Sequence, residues 1–77
     1  MTISIKYFAS LRERIGRASD SLATKSSLSV IEVWMQATGQ ESFPDDVLIA
    51  LNQEYTDAEA MVNDGDEVAF FPPVTGG

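Results

Sequence analysis

Residues 2 to 7 alternate: Ile3, Ile5 and Tyr7 are apolar, while Thr2, Ser4 and Lys6 between them are polar. A period of two, carried by β-branched and aromatic side chains, predicts a half-buried strand that runs to Phe8. The period then changes. Phe8, Leu11 and Ile15 fall at i, i+3 and i+7 around Arg12, Glu13 and Arg14, and Gly16 follows as a left-handed stop, so a helix of about one to two turns is expected. Ala18 to Thr24 has Leu22 as its only strong apolar anchor and is expected to return as an edge strand against the first.

The clearest local signal is Ser29-Val30-Ile31-Glu32, a capping box in which the Ser29 hydroxyl accepts from the Glu32 N–H and the Glu32 carboxylate accepts from the Ser29 N–H. Leu28 and Val33 occupy the staple positions on either side. Val30, Val33, Trp34 and Ala37 repeat at i, i+3, i+4 and i+7, which predicts the main helix over 30–38 with one apolar stripe and Gly39 just past its end. Trp34 on that stripe is expected to be core. Arg12 and Arg14 on the first helix are expected to face solvent.

Phe43 to Asp46 reads as a loop, and Val47 to Leu51 is a continuous apolar run of strand length, consistent with a strand covered at least in part on both faces. Asn52-Gln53-Glu54 suits a turn because Asn tolerates positive φ, and Tyr55 to Val62 returns with weak, irregular strand character. A second turn, Asn63-Asp64-Gly65-Asp66, leads into Glu67-Val68-Ala69-Phe70-Phe71, the last strand, which Pro72 and Pro73 end because neither can donate to a ladder. One long helix covering one sheet makes a two-layer α+β architecture, in which first and last strands can lie side by side at the centre. The division expected is a packed domain over 1–71 and an extended tail over 72–77.

Charge changes this picture. All five basic residues lie in the first 25 positions against two acids, a local charge of +3; from residue 26 onward ten acids and no base give −10, together the net −7. So acidic a surface repels phosphate backbones and attracts basic proteins, which argues against a nucleic-acid partner. Asp45, Asp46, Asp64, Asp66 and Glu67 match no calcium-loop spacing; they are solvated surface or they steer a basic partner. With no cysteine and no histidine, the chain lacks a thiolate nucleophile and the usual neutral-pH base, which argues against a self-contained enzyme. No bound cofactor or metal is expected. No apolar run approaches the ~20 residues of a bilayer span and no signal region precedes the first strand, so a cytoplasmic location without a membrane partner is expected.

The tail is where chemistry fits. Residues 72–77, at ~3.3 Å each, span roughly 20 Å, enough to reach into another protein's active site. Pro72 and Pro73 favour a stiff polyproline conformation, Val74 and Thr75 extend the reach, and Gly76 and Gly77 let backbone pass where a Cβ would clash. A terminal carboxylate is inert until activated, so a partner would convert it, for example to an acyl-adenylate with ATP. A frayed end is the plain alternative.

The stretch Asn63 to Gly77 resembles the C-terminal signature of the small subunit of molybdopterin synthase, the sulfur carrier of molybdenum cofactor biosynthesis; Tyr7 to Gly16 resembles that family's first strand and helix, and Leu51 to Tyr55 its middle turn. The resemblance covers essentially the whole chain and is weaker over 17–47. It implies a ubiquitin-like β-grasp fold, a mixed sheet of four to five strands under one main helix with a protruding C-terminal tail. It also implies that the Gly77 carboxylate is adenylated by a ubiquitin-activating-type adenylyltransferase that uses ATP. A sulfur donor protein would convert it to a thiocarboxylate, and the tail would enter the large subunit of molybdopterin synthase to sulfurate a precursor pterin. Phe70, Phe71, Pro72, Pro73, Val74, Thr75 and Gly76 would then contact partners, in a complex of two large and two small subunits. Of Phe70 and Phe71, which alternate across a strand, one is expected to pack inward and the other to sit at the partner surface, unless both are core. Sulfur transfer to thiamine or another pathway, and a protein modifier joined to target lysines, are the alternatives.

Overall fold

The computed structural model describes residues 1–72. In chain order the elements are β1 (Thr2–Tyr7), α1 (Ser10–Ile15), β2 (Ser19–Ala23), β3 (Leu28–Ser29), α2 (Val30–Thr38), β4 (Leu48–Leu51), β5 (Glu54–Thr56), β6 (Met61–Val62) and β7 (Glu67–Phe71). A five-stranded sheet runs β2-β1-β7-β4-β5, and β3 pairs with β6 in a separate two-stranded sheet. β1 and β7 are parallel at the centre, while every other pairing is antiparallel. The first and last strands therefore do lie side by side, and the fold is the expected α+β sheet under one main helix.

Alternation along β1 and β7 places Ile3, Ile5, Tyr7, Val68 and Phe70 on the face that α2 covers with Val30, Val33 and Trp34. Apart from Tyr7 and Trp34, whose polar groups are hydrogen-bonded, no polar or charged residue is buried among the described residues. The Trp34 ring meets Phe70 edge-on at 4.9 Å and Phe43 at 5.2 Å, and Tyr7 stacks on Phe70 at 6.1 Å, so one aromatic cluster closes the C-terminal ends of β1 and β7. The Trp34 Nε1–H donates to the Ser42 carbonyl at 3.2 Å, and this holds the loop after α2 against the helix.

The capping box forms: the Glu32 N–H donates to Ser29 Oγ at 3.2 Å and the Ser29 N–H to Glu32 Oε1 at 3.1 Å. Two further N–H groups of the first turn, those of Val30 and Ile31, donate to the Ala60 and Ala58 carbonyls. The segment after β5 is thereby tied to the start of α2. Leu28 and Val33 are both buried, as a staple requires.

Three details depart from the sequence reading. The first strand stops at Tyr7, and Phe8 joins neither strand nor helix stripe: Ala9 has φ 53° and ψ −132°, and this break leaves Phe8 42% exposed. The segment 55–62 splits into β5 and β6, which belong to different sheets. The two-residue β3 has no periodicity to read and is defined by its pairing with β6.

Candidate functional site

Pairing registers decide what surrounds the chain's exit from the sheet. β7 runs parallel to β1, with Tyr7 opposite Phe70, and antiparallel to β4, with Leu48 opposite Phe71. The end of β7 is therefore flanked by the end of β1, the start of β4 and the end of β5. Side chains alternate across these strands. Phe70 and Ile49 point into the core, so Phe71, Leu48, Ala50 and Tyr55 lie on the opposite face, which no helix covers. The Tyr55 and Phe71 rings are 5.7 Å apart, and Tyr55 is 76% exposed. An apolar patch thus sits where the chain leaves the sheet, and this grouping of aromatic and aliphatic groups makes it the candidate docking surface.

This geometry divides the two phenylalanines. Phe70 is fully buried among Trp34, Tyr7 and Phe43, while Phe71 is half-buried on the open face. Phe70 has no surface to offer a partner, so the expected partner contact by Phe70 is corrected: its place is in the core, and Phe71 is the aromatic residue available outside. Pro72 follows half-buried. Pro73, Val74, Thr75, Gly76 and Gly77, the other residues that the sequence reading assigns to the tail, lie outside the described residues.

The acidic residues separate into two groups. Asp64, Asp66 and Glu67 gather at the opposite end of the sheet, at the start of β1 and β7. There Asp64 accepts from the Thr2 N–H at 2.8 Å, and Asp66 accepts from the Asn63 N–H at 2.8 Å and from Asn52 Nδ2 at 3.0 Å. Those donors hold the Asp66 carboxyl below its usual range, the Asn63 N–H contributing most. Asp45 and Asp46 are exposed at the exit end, in the loop before β4. Among the described residues no group of three or more His, Cys, Asp or Glu is placed to hold a metal ion.

The other shifted groups are structural. The Tyr7 hydroxyl donates to Asp20 at 3.0 Å, and its pKa is pushed up to about 12, chiefly by burial and then by the Asp20 carboxylate. Arg17 grips the same carboxylate through Nε at 2.8 Å and Nη2 at 2.7 Å, and Nη2 also donates to the Ala37 carbonyl in the last turn of α2. This clip fastens edge strand β2 to the helix. Arg12 and Arg14 are exposed, as expected. Sequence reasoning missed Leu48 and Tyr55 as site residues, because their grouping with Phe71 depends on the register of three strands.

Comparison with known proteins identifies the family. The model of the ThiS family matches residues 5–77. The chain belongs to the ThiS family. Among curated relatives of this ThiS-family chain, the molybdopterin synthase sulfur carrier subunits of Escherichia coli and Haemophilus influenzae are 34% and 33% identical, each alignment covering 97% of this chain and 99% of the relative. Among solved structures, a putative molybdopterin converting factor subunit 1 from Pyrococcus furiosus is 28% identical with a TM-score of 0.74, covering 96% of this chain and 99% of that one. Two others share the fold at lower identity. The small archaeal modifier SAMP1 from Haloferax volcanii has a TM-score of 0.78 at 24% identity, with both chains fully covered. A protein named as the complex of subunits 1 and 2 of molybdopterin-converting factor from Helicobacter pylori has 0.68 at 22%, also with both fully covered. The ThiS-family chain thus has the ubiquitin-like β-grasp, and the fold alone does not separate a sulfur carrier from a modifier. No helix among the described residues is long and apolar enough to cross a membrane.

Proposed function

We propose that this protein is the sulfur carrier of molybdopterin synthase. The observation that carries the reading is the near end-to-end match to relatives that bear this name. It is supported by the apolar patch of Leu48, Tyr55 and Phe71 at the strand end from which the tail departs. In this reading residues 1–71 dock and 72–77 deliver. The Gly77 carboxylate attacks the α-phosphorus of ATP in a ubiquitin-activating-type adenylyltransferase and pyrophosphate leaves; hydrosulfide supplied by a sulfur donor protein then attacks the acyl carbon, expelling AMP and leaving the thiocarboxylate. Its soft anionic sulfur is a stronger nucleophile than carboxylate oxygen, by the logic that favours thiolates over hydroxyls. The tail next enters the large subunit, where sulfur passes to a precursor pterin, in a complex of two large and two small subunits in the cytoplasm. ATP serves the activating partner, and the acid–base groups belong to the large subunit.

The experiment is sulfur transfer in a reconstituted mixture of large subunit, adenylyltransferase, ATP, sulfur donor and precursor pterin. The wild-type chain is expected to support dithiolene formation and a variant lacking Gly77 to support none. Equal product from both would overturn the proposal.

A further inference from the structure

Beside the apolar patch lies an open groove of about 400 Å³ between the loop before β4 and the segment from Tyr55 to Ala58. Phe43, which packs on Trp34 and Phe70, lies in it together with Ile49, and Asp45 and Asp57 add two carboxylates; Leu48 and Tyr55 line both groove and patch. Register puts the groove at the tail's end of the sheet, since Leu48 lies opposite Phe71 and Thr56 opposite Ile49. We propose that this groove receives an arginine side chain of the large subunit, its stem on the apolar wall and its guanidinium between Tyr55 and the carboxylates of Asp45 and Asp57. The inference rests on the sulfur-carrier reading for the identity of the partner.

Charge selects this occupant. The ion pairs among the described residues join Lys6 to Glu67 and Arg17 to Asp20, so Asp45 and Asp57 have no cationic partner there. From residue 26 onward the chain has no base of its own to supply one. A purely apolar side chain would leave both carboxylates at the rim of a dry contact, which is unfavourable. Arginine satisfies each part of the groove: its planar cation stacks on an exposed aromatic face, accepts no hydrogen bond, and donates to two carboxylates at once. Asp57 is already oriented, because its Oδ1 accepts from the Glu59 N–H at 3.0 Å.

The test is the affinity of the full-length chain for purified large subunit, measured by calorimetry at low and high salt. Asp45→Asn/Asp57→Asn is expected to raise Kd about tenfold at low salt and to flatten its salt dependence. Asparagine keeps an oxygen for the Glu59 N–H, and an unchanged melting temperature verifies the fold. Glu54→Gln/Asp64→Asn removes the same charge at the opposite end of the sheet and is expected to leave Kd within about twofold. The inference is overturned if the two double variants weaken binding equally, if Asp45→Asn/Asp57→Asn binds like wild type, or if sedimentation shows that Asp45 and Asp57 instead hold a second copy of this chain. Failure of the wild-type chain to bind large subunit would sink the sulfur-carrier reading as well. Wild-type binding with no loss in Asp45→Asn/Asp57→Asn would sink the groove alone.

Discussion

Leu48 stands directly opposite Phe71 in the antiparallel pair of β4 and β7, and both side chains face away from the core. The neighbouring pair, Ile49 with Phe70, faces inward. Adjacent phenylalanines thus do different work. Phe70→Ala empties the centre of the aromatic cluster and is expected to cost about 3–5 kcal/mol. Phe71→Ala is expected to cost under about 1 kcal/mol in folding but to weaken large-subunit binding at least about tenfold. Urea unfolding of both variants, with calorimetric binding of the second, checks the division.

Tyr7 makes stability depend on alkaline pH. Its folded pKa, about 12, lies above the ordinary value of 10.0, so the folded state holds the proton more tightly than the unfolded chain. The resulting stabilisation is complete below pH 10 and is lost as pH rises from 10 through 12. Tyr7→Phe is expected to remove this part of the alkaline decline. Urea midpoints of both proteins across that window test it, and parallel curves would contradict it.

Ala9 is held at φ 53° and ψ −132°, a conformation that suits glycine and strains a residue with a Cβ. Just before this turn the Phe8 N–H donates to the Phe70 carbonyl at 3.0 Å, and the chain then reverses into α1. Ala9→Gly is expected to raise stability by about 1 kcal/mol, the relieved strain exceeding glycine's added chain entropy. Thermal melts of the two proteins decide it.

The cap of α2 is a simpler case. Ser29→Ala removes the acceptor for the Glu32 N–H and is expected to destabilise by about 1 kcal/mol, leaving the sheet unchanged. Urea unfolding measures the loss, and far-UV circular dichroism verifies the sheet.

These residues also mark what sequence alone could disclose. Ile3, Ile5 and Tyr7 alternate cleanly because one face of β1 is buried and the other is not, and the capping box at Ser29 is specified by four consecutive residues. Both were legible. β5 was blurred because Glu54, Tyr55 and Thr56 form an edge strand whose identity comes from pairing with β4. Phe8 fits a helical stripe by spacing alone, and the positive-φ turn at Ala9 that takes it off that stripe leaves no trace in an alanine. Gly77 as the reactive end is what the resemblance carried by the tail implies, and it lies outside the described residues. The patch needed the register, since Leu48, Tyr55 and Phe71 come from separate strands.

The central claim is that sulfur is loaded on the C-terminal carboxylate, and the most direct measurement is the intact mass of the chain after incubation with adenylyltransferase, ATP and a sulfur donor. The predicted result is a gain equal to one oxygen-to-sulfur exchange, localised by fragmentation to Gly77 and absent without ATP. An unchanged mass, or adducts joining Gly77 to lysines of other proteins with no thiocarboxylate formed, would contradict it.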